Sequence, residues 1–459
     1  MNKGTKMFAL GLVMVSCQQT QIDYALLSGK VENPVSNNIS IRGDEFSQNI
    51  DVEDDGSFSD TLRIKEGYYT FSHGERTTFY LKPGENIYMT IDTEAFDETA
   101  SYEGTGAERN NYLAKKYLLD EEVSGSYKEM MLLDEKAFVS KSSEINATLL
   151  QHLTETEGME ENFFGKEQKG INYENLSRIQ AYEDAHAYYA GEDDFKVSET
   201  FKEPLATVDF DNAKDFDEIP AYKGLVRSYY LNYSSITNDP DALLAAINTI
   251  RQLKSENIKH ALAEPLTSFY MSPNVDNLED VYKGILAMVT DEEQKGEITE
   301  KYDKISKLVK GNPSPQFEYP NPDSTFFSLE DLKGKFVYID IWATWCGPCL
   351  REIPALKEME VVYSQKNVQF VSISIDRRRD YEKWQNMIVE KQLGGLQLFA
   401  EDDWNSTIVK DYAIEGIPRF ILLDRDGNIV SADAPRPSSP KLAEMLDDLI
   451  EKSELLASK

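Results

Sequence analysis

Two of the three cysteines in this 459-residue chain stand two residues apart, in Trp345-Cys346-Gly347-Pro348-Cys349, shortly after the apolar run Phe336 to Ile341. No second pair is left to staple any other region, so a structural disulfide framework is excluded and each folded unit must stand on hydrophobic burial. The apolar run, broken only by Asp340, suits a buried central strand. Helical spacing from Leu350 to Lys366 follows it, which places Cys346 between strand and helix. Unpaired backbone N–H groups and the helix dipole stabilise a thiolate there, so Cys346 is the expected nucleophile. Gly347 and Pro348 form the tight turn into the helix, proline being tolerated in the first helical turn. They bring Cys349 back within disulfide reach as a buried resolving thiol.

A bare C-x-x-C is also half of a zinc site. Zinc would need two further Cys or His ligands near the motif, and all four histidines (His73, His152, His186, His260) lie far upstream without ligand spacing. No metal and no bound cofactor are expected; the redox group is the Cys346–Cys349 pair itself.

The length predicts two or three folded units, and the changing hydrophobic period divides the chain into three. From 17 to 106, short β-rich runs alternate with turn signals such as Asp54-Asp55-Gly56 and Pro83-Gly84, which reads as a small β-sandwich or barrel. From 107 to 310 the apolar residues fall at helical spacing, broken at Asp239-Pro240 and Ser272-Pro273, which reads as an all-α region. Gly311-Asn312-Pro313-Ser314-Pro315 has the composition of a linker. From 311 to 459 strands predicted at Phe336–Ile341, Val368–Ile375, Leu396–Phe399 and Phe420–Leu423 interleave with helices at 350–366, 381–393 and 441–454, the pattern of an α/β sheet. Asp424 to Asn428 is a hairpin turn.

Residues 1–16 read as a targeting segment: Lys3 and Lys6, then the short apolar stretch Met7 to Val15, then Ser16 before Cys17. Met14-Val15-Ser16-Cys17 resembles a bacterial lipoprotein lipobox, which implies lipidation of Cys17 and a chain anchored to a membrane rather than spanning it. Acidic residues outnumber basic ones 81 to 48, a net charge of -33, so nucleic acid and anionic lipid surfaces are excluded as electrostatic partners.

Asp340-Ile341-Trp342-Ala343-Thr344-Trp345-Cys346-Gly347-Pro348-Cys349 resembles the active-site strand and turn of thioredoxins. With Ser328 to Lys335 before the strand and Tyr412-Ala413-Ile414-Glu415-Gly416-Ile417-Pro418 after the inserted helix, the last third of the chain is similar to the TlpA and ResA family of extracytoplasmic thiol-disulfide oxidoreductases. The β-rich and helical regions resemble those preceding such domains in Bacteroidetes lipoproteins. The resemblance implies a C-terminal thioredoxin-like fold in which Pro418 is a cis-proline beside the thiols and Ile417 offers its backbone to an extended substrate. Trp342 and Trp345 would shape the surface around Cys346, although they read nearly as well as packing aromatics, with Trp345, Gly347 and Pro348 meeting the substrate. Asp340 matches the buried acid that deprotonates Cys349. Two departures from the thioredoxin pattern are Ser372, where a buried lysine is usual, and Arg419 after Pro418.

The Gly-Pro dipeptide, as in thioredoxin, points to a reductase of protein disulfides. The resemblance further implies a periplasm-facing lipoprotein reduced by an inner-membrane thiol donor, with oxidised envelope proteins, apocytochrome c among them, as clients. Two other readings compete. One is an envelope scaffold or binding module whose redox chemistry is secondary. The other is a peroxiredoxin-like peroxidase, against which stands Ala343 where a threonine is normal.

Overall fold

The computed structural model describes residues 22–44, 46–232 and 241–457, and the targeting segment with Cys17 lies outside them. The chain divides into two compact units between Tyr229 and Tyr230. The helical stretch expected over 107–310 is therefore shared: its first part belongs with the β-rich region and its second with the α/β sheet. A helical period reports which face of a helix is buried, not which neighbour buries it.

In the first unit, β1 (Tyr24–Glu32), β2 (Asn38–Gly43), β3 (Phe46–Asp51), β4 (Ser57–Arg63), β5 (Gly67–His73), β6 (Glu75–Leu81), β7 (Asn86–Asp92) and β8 (Ser101–Gly104) build two four-stranded sheets, ordered β4-β1-β7-β8 and β3-β2-β5-β6. Strict alternation on β1 sends Ala25, Leu27 and Val31 inward, where they meet Ile39, Ile41 and Phe71 of the other sheet. This is the sandwich that the alternation predicts. Successive residues of β6 point to opposite faces: Phe79 enters the sandwich, whereas Tyr80 packs among the helices Ala107–Ser124, Glu135–Glu155 and Glu161–Ala190 with Phe138, Leu149 and Phe163.

Between that sheet and the helices runs a buried polar seam. Glu167 accepts hydrogen bonds from Tyr68 (2.5 Å), Tyr112 (3.2 Å) and Lys116 (3.2 Å), and Lys116 also reaches Glu174 at 3.1 Å. Burial alone would lower the Lys116 pKa, but Glu167 and Glu174 outweigh it and hold it at about 12. Removing one partner strands the others without water. Glu167→Ala is expected to destabilise the first unit by about 3 kcal/mol, read as a lower urea midpoint. An unchanged midpoint would show that the seam contributes no net stability.

The second unit opens with the helices Ala242–Arg251 and Glu256–Pro265. Pro265 lacks an N–H, and the chain widens after it into one π-turn, Leu266–Tyr270, closed by Met271 N–H donating to the Leu266 carbonyl at 2.9 Å. Helices Leu278–Leu286 and Glu292–Ile305 follow. Beyond the hairpin of β9 (Glu318–Pro320) and β10 (Phe326–Ser328), five strands form one sheet: β11 (Phe336–Trp342), β12 (Val368–Ser374), β13 (Leu396–Phe399), β14 (Arg419–Leu423) and β15 (Ile429–Ser431). Their order is β13-β12-β11-β14-β15, with β11, β12 and β13 parallel and β14 and β15 antiparallel. Helices Gly347–Tyr363, Tyr381–Lys391 and Pro440–Ala457 accompany it. This is a thioredoxin-like α/β fold, and the whole chain is multidomain.

The stretch 311–315 is not a free linker. Gly311 N–H donates to the Ile429 carbonyl (2.8 Å), Ile429 N–H to the Asn312 carbonyl (2.8 Å) and Ser314 N–H to the Gly427 carbonyl (3.1 Å). Pro and Gly mark the absence of internal regular structure, but they do not prevent a segment from pairing with an edge strand. Leu308, just before it, is buried in the same core as Val337, Ile339 and Ile341.

Candidate active site

All seven residues of β11 are buried, which is why the run reads as apolar, and the chain leaves its end through Ala343 and Thr344. Three hydrogen bonds fasten this exit. Thr344 donates through its N–H (2.9 Å) and hydroxyl (2.8 Å) to Asp376, whose carboxylate also accepts from Ser374 at 2.7 Å. Asp376 is fully buried just beyond β12. Sequence reasoning does not single it out, although an acid at the end of a buried strand is the signal that marks it.

Held in this way, Cys346 becomes the N-cap of the Gly347–Tyr363 helix, with Cys349 N–H donating to its sulfur at 3.2 Å. The helix starts three residues before the apolar spacing does, because Gly347 and Pro348 form its first turn. Cys346 and Cys349 are joined in a disulfide, their Cα atoms 5.3 Å apart. Each residue is only 4% exposed. Exposure therefore does not distinguish the two thiols; their positions at the helix terminus differ. The Cys346 sulfur receives the Cys349 N–H at the positive end of the helix, whereas Cys349 lies inside the first turn.

Asp340 points into the fold from the middle of β11, paired in register with Ser372 on β12 and Phe420 on β14. It shares a small enclosed cavity with Cys349, Trp342, Ser372, Glu360 and Gln397. The cavity measures about 10 Å³, close to the room needed for one water. Burial, reinforced by the charges of Glu352 and Glu360, pushes the Asp340 pKa up to about 8, with the Ser372 hydroxyl opposing. Burial likewise raises Glu360, only partly offset by Lys357. Glu352 itself is held by Ser438, through N–H and hydroxyl, both at 3.0 Å. Neither glutamate stands out in the sequence, since each sits on a helix where acids ordinarily face water.

The Redoxin family profile matches residues 309–449. The thiol-disulfide oxidoreductase ResA of Bacillus anthracis is 30% identical over 124 residues, spanning 27% of this chain and 69% of that protein. The chain belongs to the ResA-like thiol-disulfide oxidoreductases. Another such ResA, from Bacillus cereus, is 27% identical over 145 residues, 32% of this chain and 81% of its own. A solved thioredoxin domain of a thiol-disulfide oxidoreductase from Bacteroides vulgatus is 28% identical, covering 31% of this chain and 99% of that one with a TM-score of 0.29.

In this ResA-like oxidoreductase the Ile417–Pro418 bond is cis, and Ile417 packs against the core cluster that contains both cysteines. Trp345 is half exposed, its ring 6.3 Å from that of Trp404, an aromatic that sequence reasoning passes over. Trp342 follows the packing alternative rather than the surface one. It is buried in the core rather than on the surface around Cys346, because the strand runs on through it. Among the described residues no group of histidine, cysteine and acid is arranged to hold a metal ion, and no helix is long and apolar enough to cross a membrane.

Proposed function

We propose that the chain is a reductase of protein disulfides working outside the cytoplasm. The observation that carries this reading is the Gly-Pro-spaced pair at a helix N-terminus with a buried acid on the side of Cys349. The Cys346 thiolate attacks one sulfur of a client disulfide, and the other client sulfur leaves as a thiolate that takes up a proton. Cys349, losing its proton to ionised Asp340 across the small cavity, then attacks the Cys346 sulfur. The second client sulfur is released as a thiol, and two electrons have passed from the dithiol to the client. Ile417, Pro418, Trp345, Gly347 and Pro348 present the surface on which the client backbone lies. A dithiol donor restores the reduced pair, and Cys17, lipidated, holds the chain at a membrane. An inner-membrane thiol carrier as donor, and oxidised envelope proteins including apocytochrome c as clients, are the partners that fit this reading.

Direction is tested by equilibrating the full chain in dithiol buffers. Thioredoxin, which has the same dipeptide, lies near about -270 mV and the oxidant DsbA near about -120 mV, a gap of roughly 7 kcal/mol for two electrons. The expected potential is close to the former. A value close to the latter would make the chain an oxidase of thiols, with the same residues running in reverse.

A further inference from the structure

We infer that the helical segment Ala242–Leu308 is a client-reading wall of the redox site. It takes the polypeptide stretch beside the client's disulfide and favours one carrying basic residues and a large apolar side chain. This rests on the reductase reading above.

Within the second unit a cleft of about 370 Å³ opens between two walls, a size in the range of ligand clefts. One wall is the π-turn and the Glu292–Ile305 helix; the other includes Ala413, Glu415, Arg419 and Asp433. Glu415 and Arg419 bracket Ile417 and Pro418 in the chain, and Arg419 opens β14 opposite Ile341 of the strand that leads to Cys346. A polypeptide lying along Ile417 and Pro418 therefore has the cleft as its continuation.

Phe269 supplies the apolar contact. The π-turn buries Leu266 and Met271 on either side of it but leaves Phe269 on the cleft 77% exposed. A lone exposed aromatic is ordinary on a protein surface. This one stands on a π-turn, a distortion frequent at functional sites, and lines the cleft.

The charge of the cleft selects the partner. Its acids are Glu264, Glu297, Glu300, Glu415 and Asp433. Its bases are Lys301, Lys304 and Arg419, and each is already engaged: Lys301 with the Ser268 carbonyl (2.9 Å), Lys304 with Glu300 (2.7 Å) and Arg419 with Asp433 (3.4 Å). Glu264 and Glu297 have no cationic partner among the described residues. The excess is negative, as is the chain as a whole, so basic client segments are drawn in and acidic ones repelled. The walls are fixed to each other before any client arrives: Asn274 donates to the Asp433 carbonyl at 2.7 Å and Ser431 to the Asn274 side-chain oxygen at 3.1 Å. Little ordering is left to oppose binding.

The test is single-turnover reduction by the pre-reduced full chain. Its substrates are two synthetic peptides with the same disulfide, one flanked by Lys and Phe and the other by Glu and Ser, with hydroxyethyl disulfide as the small reference. The Lys/Phe peptide is expected to react at least tenfold faster than the Glu/Ser peptide. Glu297→Lys combined with Glu300→Lys, and separately Phe269→Ser, are expected to erase most of that ratio, while Phe269→Leu keeps it. A ratio near one in the unmodified chain, or one that the variants leave unchanged while hydroxyethyl disulfide is still reduced, overturns the wall and leaves the reductase standing. Failure to reduce any of the three overturns both.

Discussion

With Cys349 replaced by serine, the protein is expected to accumulate one-to-one covalent adducts with disulfide-bearing substrates, whereas Cys346→Ser loses reduction by more than about a thousandfold. The asymmetry follows from the helix terminus. Only the Cys346 sulfur caps the helix and receives a backbone N–H, the position at which a helix terminus favours a thiolate once the pair is reduced. Under the proposed mechanism Cys349, one turn in, does not replace it, and its removal is expected to stop the second step and leave the first intact. Non-reducing electrophoresis after mixing with an oxidised peptide reads both outcomes. Adducts on Cys346→Ser and none on Cys349→Ser would exchange the two roles.

The second large effect is at Asp340, where catalysis and stability are expected to move in opposite directions. Its carboxyl is raised from an ordinary value of 3.8 to about 8, chiefly by burial. Between those values the folded chain holds a proton that the unfolded chain has released, so stability falls as pH rises through that interval, and the penalty is complete above about pH 8. Each pH step of one across the interval removes about 1.4 kcal/mol, which puts the full penalty on the order of 5 kcal/mol. Asp340→Asn is therefore expected to be several kcal/mol more stable than the native chain at pH 9 and nearly equal to it at pH 4, measured by urea unfolding. Under the proposed mechanism the same variant also lacks the base for Cys349. Resolution of the mixed disulfide is expected to slow about a hundredfold, and its rise with pH to move upward toward the pKa of a buried thiol. If Asp340→Asn unfolds at the native midpoint at pH 9, the carboxyl is not desolvated as described. If it resolves mixed disulfides at the native rate, Asp340 is not the base.

Much of the redox domain is legible in the sequence because its signals are local. An unbroken apolar run, a Gly-Pro turn and a helical period each concern residues within about fifteen positions of one another. The β-sandwich is legible for the same reason, since alternation along β1 reports on both faces at once. What escapes depends on contacts between distant segments. Asp376 matters only because Thr344 comes to it, and Glu360 only because β11 turns Asp340 toward its helix. The motif leaves Trp342 open between surface and packing because it does not say where a strand ends; the strand continues one residue past Ile341 and takes the indole inside. The helices after Ala242 and those before Tyr229 both read as helical stretches, and a helical period does not say which unit buries it.

The pairing of Gly311–Ser314 with the end of the sheet bears on how such chains can be reassembled. The profile shared with relatives begins at residue 309, just after Leu308, which fills part of the core, and its first residues run along β15. A recombination event at that boundary would import a redox domain without the side chain that plugs it and without one wall of its cleft. The Ala242–Leu308 helices and the sheet domain form one compact unit, so the two are expected to be inherited together. If the helices read clients as inferred above, substrate preference is expected to diversify through surface changes on them, leaving the exchange chemistry untouched.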